Sequence, residues 1–344
     1  MSQSKLTAQR PVLLSSQLGL NGHGLWPGLL LVLGLAGAAM ALHHVIGLAV
    51  LSPLLLAMVF GIALRNSRDL PAKIQPGIRF AQRRILRLAI ILLGFQLTLG
   101  QLYEVGIAGF AVAATVLAAT FVFGKLAGHW LGVERPLSEL IAAGTAVCGA
   151  SAVIATNTVS RGSDEDVAYA IACVTLYGSV LMLGIPLVGA ALDMEATRYG
   201  IWVGASVHEV AQVTAAAFQG GVEAGQVGTV TKLSRVILLA PLILSLGALA
   251  RRRKGAESGG AAPTPWFVLG FVAVMLINSF APLPEAAQGW MISLTVFLLT
   301  MSLAAMGLEA DIRALRKKGA RPLILGAVNC AFVAGLGLAL VALL

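Results

Sequence analysis

Charge is what this chain lacks most. Asp, Glu, Lys and Arg make up 11% of its 344 residues, against about 25% in an average soluble domain. So few ionic groups cannot solvate the surface of an ordinary water-soluble fold, which excludes that class. Cysteine is scarce as well: Cys148, Cys173 and Cys330 each sit within an apolar stretch, and no two have metal-ligand spacing. Neither a disulfide framework nor a structural metal site is expected. Alternating polar and apolar residues are missing, which excludes a transmembrane barrel. No Gly-rich phosphate loop or serine nucleophile elbow occurs, so nothing supports direct use of ATP. Residues 1–24 lack a compact apolar core ending in a cleavage site, so no cleaved signal peptide is expected.

What is present is aliphatic. The chain is 58% hydrophobic with a mean hydropathy of +0.88. A bilayer core of ~30 Å takes about 20 apolar helical residues per crossing, and backbone groups in lipid must be satisfied within the segment. The sequence therefore predicts an all-α polytopic membrane protein with about 11 transmembrane helices (10–11). The expected spans are 25–42, 46–64, 80–100, 105–124, 138–159, 167–191, 200–219, 227–249, 266–281, 290–308 and 322–344. Residues 1–24 form a cytoplasmic tail, and 25–344 form one transmembrane domain. A basic, Gly- and Pro-containing cytoplasmic loop at 251–265 links two helical groups.

If these spans alternate in direction, 20 of the 24 Lys and Arg residues fall on one face, Arg161 alone on the other, and Arg87, Lys232 and Arg235 inside helices. Cytoplasmic loops collect cations, so the N-terminus is expected inside a bacterial plasma membrane and the C-terminus outside. The net charge of +9 is then a signature of orientation, not of nucleic-acid binding.

Ionisable residues inside a bilayer are costly and mark function by default. Lys232 and Arg235 are three apart and share a helix face, with His208 and Glu209 in the preceding span. One carboxylate against two fixed cations leaves a formal surplus of +1, which a bound anion neutralises. Protonation of Glu209 or His208 would raise the surplus, coupling proton movement to anion affinity. The fifth span carries Thr145, Gly149, Ser151, Thr156 and Asn157, and the seventh carries His208, Glu209, Gln212 and Thr214. Small and polar residues of this kind permit close helix contact or the interrupted helices that transporters place at binding sites. A half-helix N-terminus attracts anions. The candidate substrate-binding residues are therefore Lys232, Arg235, Thr145, Gly149, Ser151, Asn157 and Gln212, with His208 and Glu209 coupling. Gln96 and Thr98 in the third span are weaker candidates.

His208-Glu209-Val-Ala-Gln212 resembles the zinc-protease pattern H-E-x-x-H, but Gln212 replaces the second histidine. No metal, no cofactor and no enzyme activity are expected. The two polar spans echo each other at an offset of 60 residues: Gly144 aligns with Gly204, Val147 with Val207, Cys148 with His208 and Val153 with Val213. This pair runs in the same direction, which an inverted repeat does not explain. A second echo, Gly94–Gly100 with Gly307–Arg313, runs in opposite directions.

On Thr145-Ala-Val-Cys-Gly-Ala-Ser-Ala152, Ser206-Val-His-Glu-Val-Ala-Gln-Val213 and Thr231-Lys-Leu-Ser-Arg235, the chain resembles the YeiH-type family of bacterial inner-membrane proteins, a group labelled sulfate exporters. It is more distantly similar to sodium–bile-acid symporter-like proteins through Gly94-Phe-Gln-Leu-Thr-Leu and Cys148-Gly-Ala-Ser. The resemblances imply a polytopic plasma-membrane protein with inverted repeats and interrupted helices and point to sulfate; with the buried cations, the expectation is a secondary transporter of a small anion, sulfate or a sulfonate. No acidic and amide set for sodium is evident. Two alternatives stay open: a sodium- or proton-coupled carrier of an organic solute, and an intramembrane enzyme using His208 and Glu209. A homo-oligomer is compatible with the sequence.

Overall fold

Helix starts in this chain are marked by prolines and capping side chains. Pro53 sits at the start of a helix capped by the Ser52 hydroxyl, which accepts from the Leu55 amide. At Ser163 a full capping box with Asp166 opens another, and Asp164, Glu165 and Asp166 oppose its dipole. The computed structural model describes residues 22–46, 52–254, 266–281, 283–312 and 318–344. Most of the expected N-terminal tail and of the 251–265 loop lies outside these residues.

The helices are α1 (Gly22–Ile46), α2 (Pro53–Ser67), α3 (Gln75–Phe80), α4 (Leu86–Leu93), α5 (Leu99–Trp130), α6 (Arg135–Ala146), α7 (Ala150–Ser160) and α8 (Asp164–Ala191). They continue as α9 (Ala196–Ser206), α10 (Val210–Ala217), α11 (Val222–Ile237), α12 (Leu239–Lys254), α13 (Trp266–Phe280), α14 (Glu285–Glu309) and α15 (Ala320–Val341). A π-turn at Ala81–Ile85 joins α3 to α4. Among the described residues six helices are long and apolar enough to cross a bilayer, fewer than the eleven spans expected.

Two of the expected spans are not spans. The fifth, 138–159, is a hairpin. Ser160 at the end of α7 donates to Glu139 near the start of α6 (2.7 Å), and Gly144 packs on Val153. The helices are therefore antiparallel, and the turn at Val147–Gly149 is the hairpin tip. The seventh, 200–219, folds back in the same way. The Tyr199 hydroxyl near the start of α9 donates to the Ala216 carbonyl near the end of α10 (2.8 Å), and Val207–Glu209 is the tip. Eleven residues of α-helix rise only ~16 Å, about half a bilayer core.

α8 places the two hairpins. Its start meets the open end of the first, where Gly162 lies against Leu140 and Asp166. Its far end meets the open end of the second, where Gly189 faces the Tyr199 ring. Both tips reach its middle: Gly144 touches Val174, and Gly178 touches His208 and Gln212. The hairpins thus enter from opposite ends and meet halfway. α11 then runs parallel to α9, with Gly200 against Ala224 and Gly204 against Gly228 and Thr231.

Around this centre the helices pack in two groups. α1, α2, α3, α4, α13 and α14 form one, held where Gly61 of α2 and Gly307 of α14 bring two backbones into contact. The hairpins, α5, α8, α11 and α15 form the other.

One end of the bundle carries the cations. There Arg65 pairs with Asp311 (2.7 Å), Lys125 with Glu139 (3.0 Å) and Lys318 with Asp166 (2.5 Å). The hairpin topology moves Arg161 to this end and Arg198 to the opposite one. That exchange leaves the 20-to-1 division of cations unchanged.

Candidate functional site

The tips of the hairpins bring together the C-terminal ends of α6 and α9 and the N-terminal ends of α7 and α10. A helix C-terminus leaves up to four carbonyls unbonded, and an N-terminus leaves as many amides. In a bilayer interior no water satisfies them.

Lys232 and Arg235 serve the carbonyls. Both are 0% exposed, so neither reaches a headgroup region. Lys232 Nζ donates to the carbonyls of Val147 (2.6 Å) and Val207 (2.8 Å), one from each tip. Arg235 donates to Thr145 (2.8 Å) and Ala146 (3.0 Å from Nε) on the first hairpin, and to Gly204 (3.2 Å) and Ala205 (2.7 Å) on the second. A guanidinium has five N–H donors in a planar fork, and here that fork bridges two helix ends. Their partial negative charge favours a cation at this point.

Glu209 serves the amides. Its Oε1 accepts from Ala150 N (2.7 Å), the first residue of α7. It also caps α10, in a reciprocal box with Gln212, whose Oε1 accepts from Glu209 N (3.2 Å). Gly149 holds φ at +68°, in the left-handed region, and a Cβ there would collide with the Glu209 carboxyl. Glycine is therefore needed at this tip twice over, for the turn and for the carboxylate.

His208 is buried, with Nδ1 2.9 Å from the Val174 carbonyl. A carbonyl only accepts, so Nδ1 carries the proton. Its Nε2 has no hydrogen-bond partner among the described residues. Gln212 braces the second hairpin on α8 through Thr175 O (3.1 Å) and Ser179 Oγ (3.3 Å). Thr145 contributes its carbonyl. Ser151 lies on the exposed side of α7, one residue beyond Ala150. Asn157 departs from the expected set. It sits at the other end of α7, where its amide exchanges hydrogen bonds with Gly162 (2.7 and 3.3 Å), and it is not at the tips.

Sequence reasoning missed two features. Glu309, at the end of α14, is hydrogen-bonded to Gln82 among Arg65, Arg79 and Arg83, and lies near enough to Glu209 for the carboxylates to repel. A cavity of about 360 Å³ opens between the two helix groups, lined in part by Gln96, Thr214, Gln219, Gln226 and Gln288. A second, of about 290 Å³, lies between the end of α8 and the open end of the second hairpin. Lys232 and Arg235 line neither. Among the described residues no three His, Cys, Asp or Glu side chains gather as a metal would need.

Long apolar helices, together with polar hairpins that meet deep inside the bundle, define an integral membrane protein of the helical type. The matching family model, "Conserved hypothetical protein 698", covers residues 27–326, and the chain belongs to this family. Its relatives include the UPF0324 inner membrane protein YeiH of Escherichia coli K12, 35% identical over 317 residues, covering 89% of this chain and 90% of that protein. A UPF0324 membrane protein of Bordetella bronchiseptica is 36% identical over 291 residues, covering 82% of this chain and 90% of that protein. Another UPF0324 membrane protein, from Agrobacterium fabrum, is 35% identical over 323 residues and 93% of each chain. No solved structure matches.

Proposed function

We propose that the protein is a secondary transporter of a small anion, with the hairpin tips as its substrate site. The observation that carries this reading is the charge at the tips. Two helix C-termini and two helix N-termini meet there, so their partial charges of about half a unit each cancel. Lys232 and Arg235 against Glu209 then leave the surplus of +1 in place, at a point shielded from water. An anion such as sulfate or a sulfonate balances it.

The arrangement also favours proton coupling over sodium coupling. Carbonyls at half-helix ends are the groups that ligate sodium in other carriers, and here they already hold Lys232 and Arg235. Glu209, by contrast, sits on the α7 amide that an incoming anion would use. Protonating it weakens its hold on that amide and enlarges the positive surplus. Glu209 is thus the coupling group, with Glu309 a relay toward the basic end. His208 is a positioning residue and not a catalytic one, because its proton is committed to Val174.

On this reading 135–191 and 196–254, each a hairpin followed by a crossing helix, are inverted copies offset by about 60 residues, and the basic end is cytoplasmic. The test is uptake into proteoliposomes of sulfate, sulfite, thiosulfate, taurine and small carboxylates. At least one anion should be carried, and a proton gradient should drive it. Glu209→Gln keeps an acceptor for Ala150 N and should remain folded, yet lose the pH dependence of uptake. Anion uptake by a folded Lys232→Ala variant at the parent rate would overturn the proposal.

A further inference from the structure

The cavity of about 360 Å³ is walled by α2, the break between α4 and α5, the second hairpin, α11 and α14. It therefore lies on the seam between the two helix groups. Among the described residues four glutamines face it: Gln96, Gln219, Gln226 and Gln288. Primary amides in a membrane-embedded wall need partners, and two are tied to backbone: Gln226 Nε2 to the Gln96 carbonyl (2.5 Å) and Gln219 Nε2 to Ala215 O (3.2 Å). Apart from Ser52 and Thr214 the rest of the wall among the described residues is apolar, including Phe218, Val296 and Leu299. Among the described residues no Asp, Glu, Lys, Arg or His lines it. A free charge lodged there would find no counter-charge among these residues.

The cavity and the hairpin tips share α10. Thr214, on the cavity wall, is five residues from Glu209, about 7.5 Å along the helix at ~1.5 Å per residue. A bare tetrahedral oxyanion would leave most of this volume unfilled, whereas cavities of about 300 Å³ and upward hold small organic molecules.

We infer that this cavity is a binding site for the uncharged body of an organic anion whose charged head lies at the hairpin tips. The inference rests on the anion reading above and narrows it: the substrate class is an alkyl or aryl sulfonate or carboxylate with several carbon atoms, not an inorganic oxyanion. The amides at the rim hydrogen-bond polar substituents on the body, and Phe218, Val296 and Leu299 accept its apolar part.

The experiment is thermal unfolding of the detergent-purified full chain with sulfate, ethanesulfonate, butanesulfonate and hexanesulfonate. Butanol and hexanol serve as controls for non-specific partition. Apparent affinity should rise about fourfold for each methylene added, the value of burying one such group, while the alcohols stabilise little. Val296→Trp fills the cavity and should abolish the chain-length trend. Its own unfolding midpoint and monodispersity report whether it is folded. Should the variant not fold, Leu299→Phe is the second filling variant. Sulfate and the sulfonates stabilising equally, or a trend that survives filling, would overturn the inference while leaving the anion reading intact. No stabilisation by any of these anions would overturn both.

Discussion

A buried arginine is ordinarily a liability, since its desolvation is offset only by good geometry and full hydrogen bonding. Arg235 meets that condition with carbonyls instead of a carboxylate. Its side chain is 0% exposed and bonds to Thr145, Ala146, Gly204 and Ala205, on two hairpins distant in sequence. Lysine has the same charge but not the planar fork. Arg235→Lys should therefore leave at least one helix-end carbonyl without a donor, at about 1–3 kcal/mol for each group left unsatisfied. The readout is the thermal unfolding midpoint in detergent, which should fall. A midpoint equal to the parent's would mean that charge alone, and not the fork, holds the tips. The residue types at this centre were legible in the sequence because ionisable groups stand out in apolar helices. Their partners were not, because Thr145, Val147 and Val207 take part through backbone carbonyls, which every residue has.

At the scale of elements, the hairpins show where sequence reading reaches its limit. A helix–turn–helix of some 25 small and apolar residues has the length and hydropathy of one crossing. Only contacts such as Ser160 to Glu139 and Tyr199 to Ala216 reveal the reversal. Counting charges cannot reveal it either, because turning both spans into hairpins exchanges Arg161 for Arg198 and keeps the totals. The 60-residue echo falls on the two hairpins. It pairs Val147 with Val207 and Cys148 with His208, all at the tips or next to them, and on the inverted-repeat reading proposed above the two segments run in opposite directions because the hairpins enter from opposite ends of α8. Single cysteines at 161 and 198 test the topology directly, because all three native cysteines are buried. In a cell with the basic end cytoplasmic, Arg198→Cys should react with a membrane-impermeant maleimide in spheroplasts. Arg161→Cys should react only in inverted vesicles. Two full spans predict the reverse, and that pattern would refute the hairpins.

For the whole molecule, the question is which parts move. A secondary carrier exposes its site to each face in turn, often by rigid displacement of one repeat-containing bundle against another. The natural division here lies between the group crossed at Gly61 and Gly307 and the group that contains the hairpins. The seam is lined by a cavity, and among the described residues it is crossed by polar ties such as Gln226 to the Gln96 carbonyl (2.5 Å) and the Leu99 amide to Ser279 Oγ (2.9 Å). Each group is stitched more firmly within itself. Asn278 of α13 donates to the Leu97 carbonyl just beyond α4 (3.1 Å), and Trp202 of α9 donates to the Ala334 carbonyl of α15 (2.8 Å). If the chain is the carrier proposed above, a covalent tie across the seam should stop transport, while one within a group should not. Gln96→Cys with Gln226→Cys, oxidised in proteoliposomes, should bring anion uptake to background, and reduction should restore it. Thr197→Cys with Glu223→Cys joins residues already 2.6 Å apart inside the hairpin group, so oxidation there should leave the rate unchanged. If the seam disulfide forms quantitatively and uptake continues, the two groups do not move as bodies. Alternating access would then have to come from the hairpin tips alone, opening one at a time around Lys232 and Arg235.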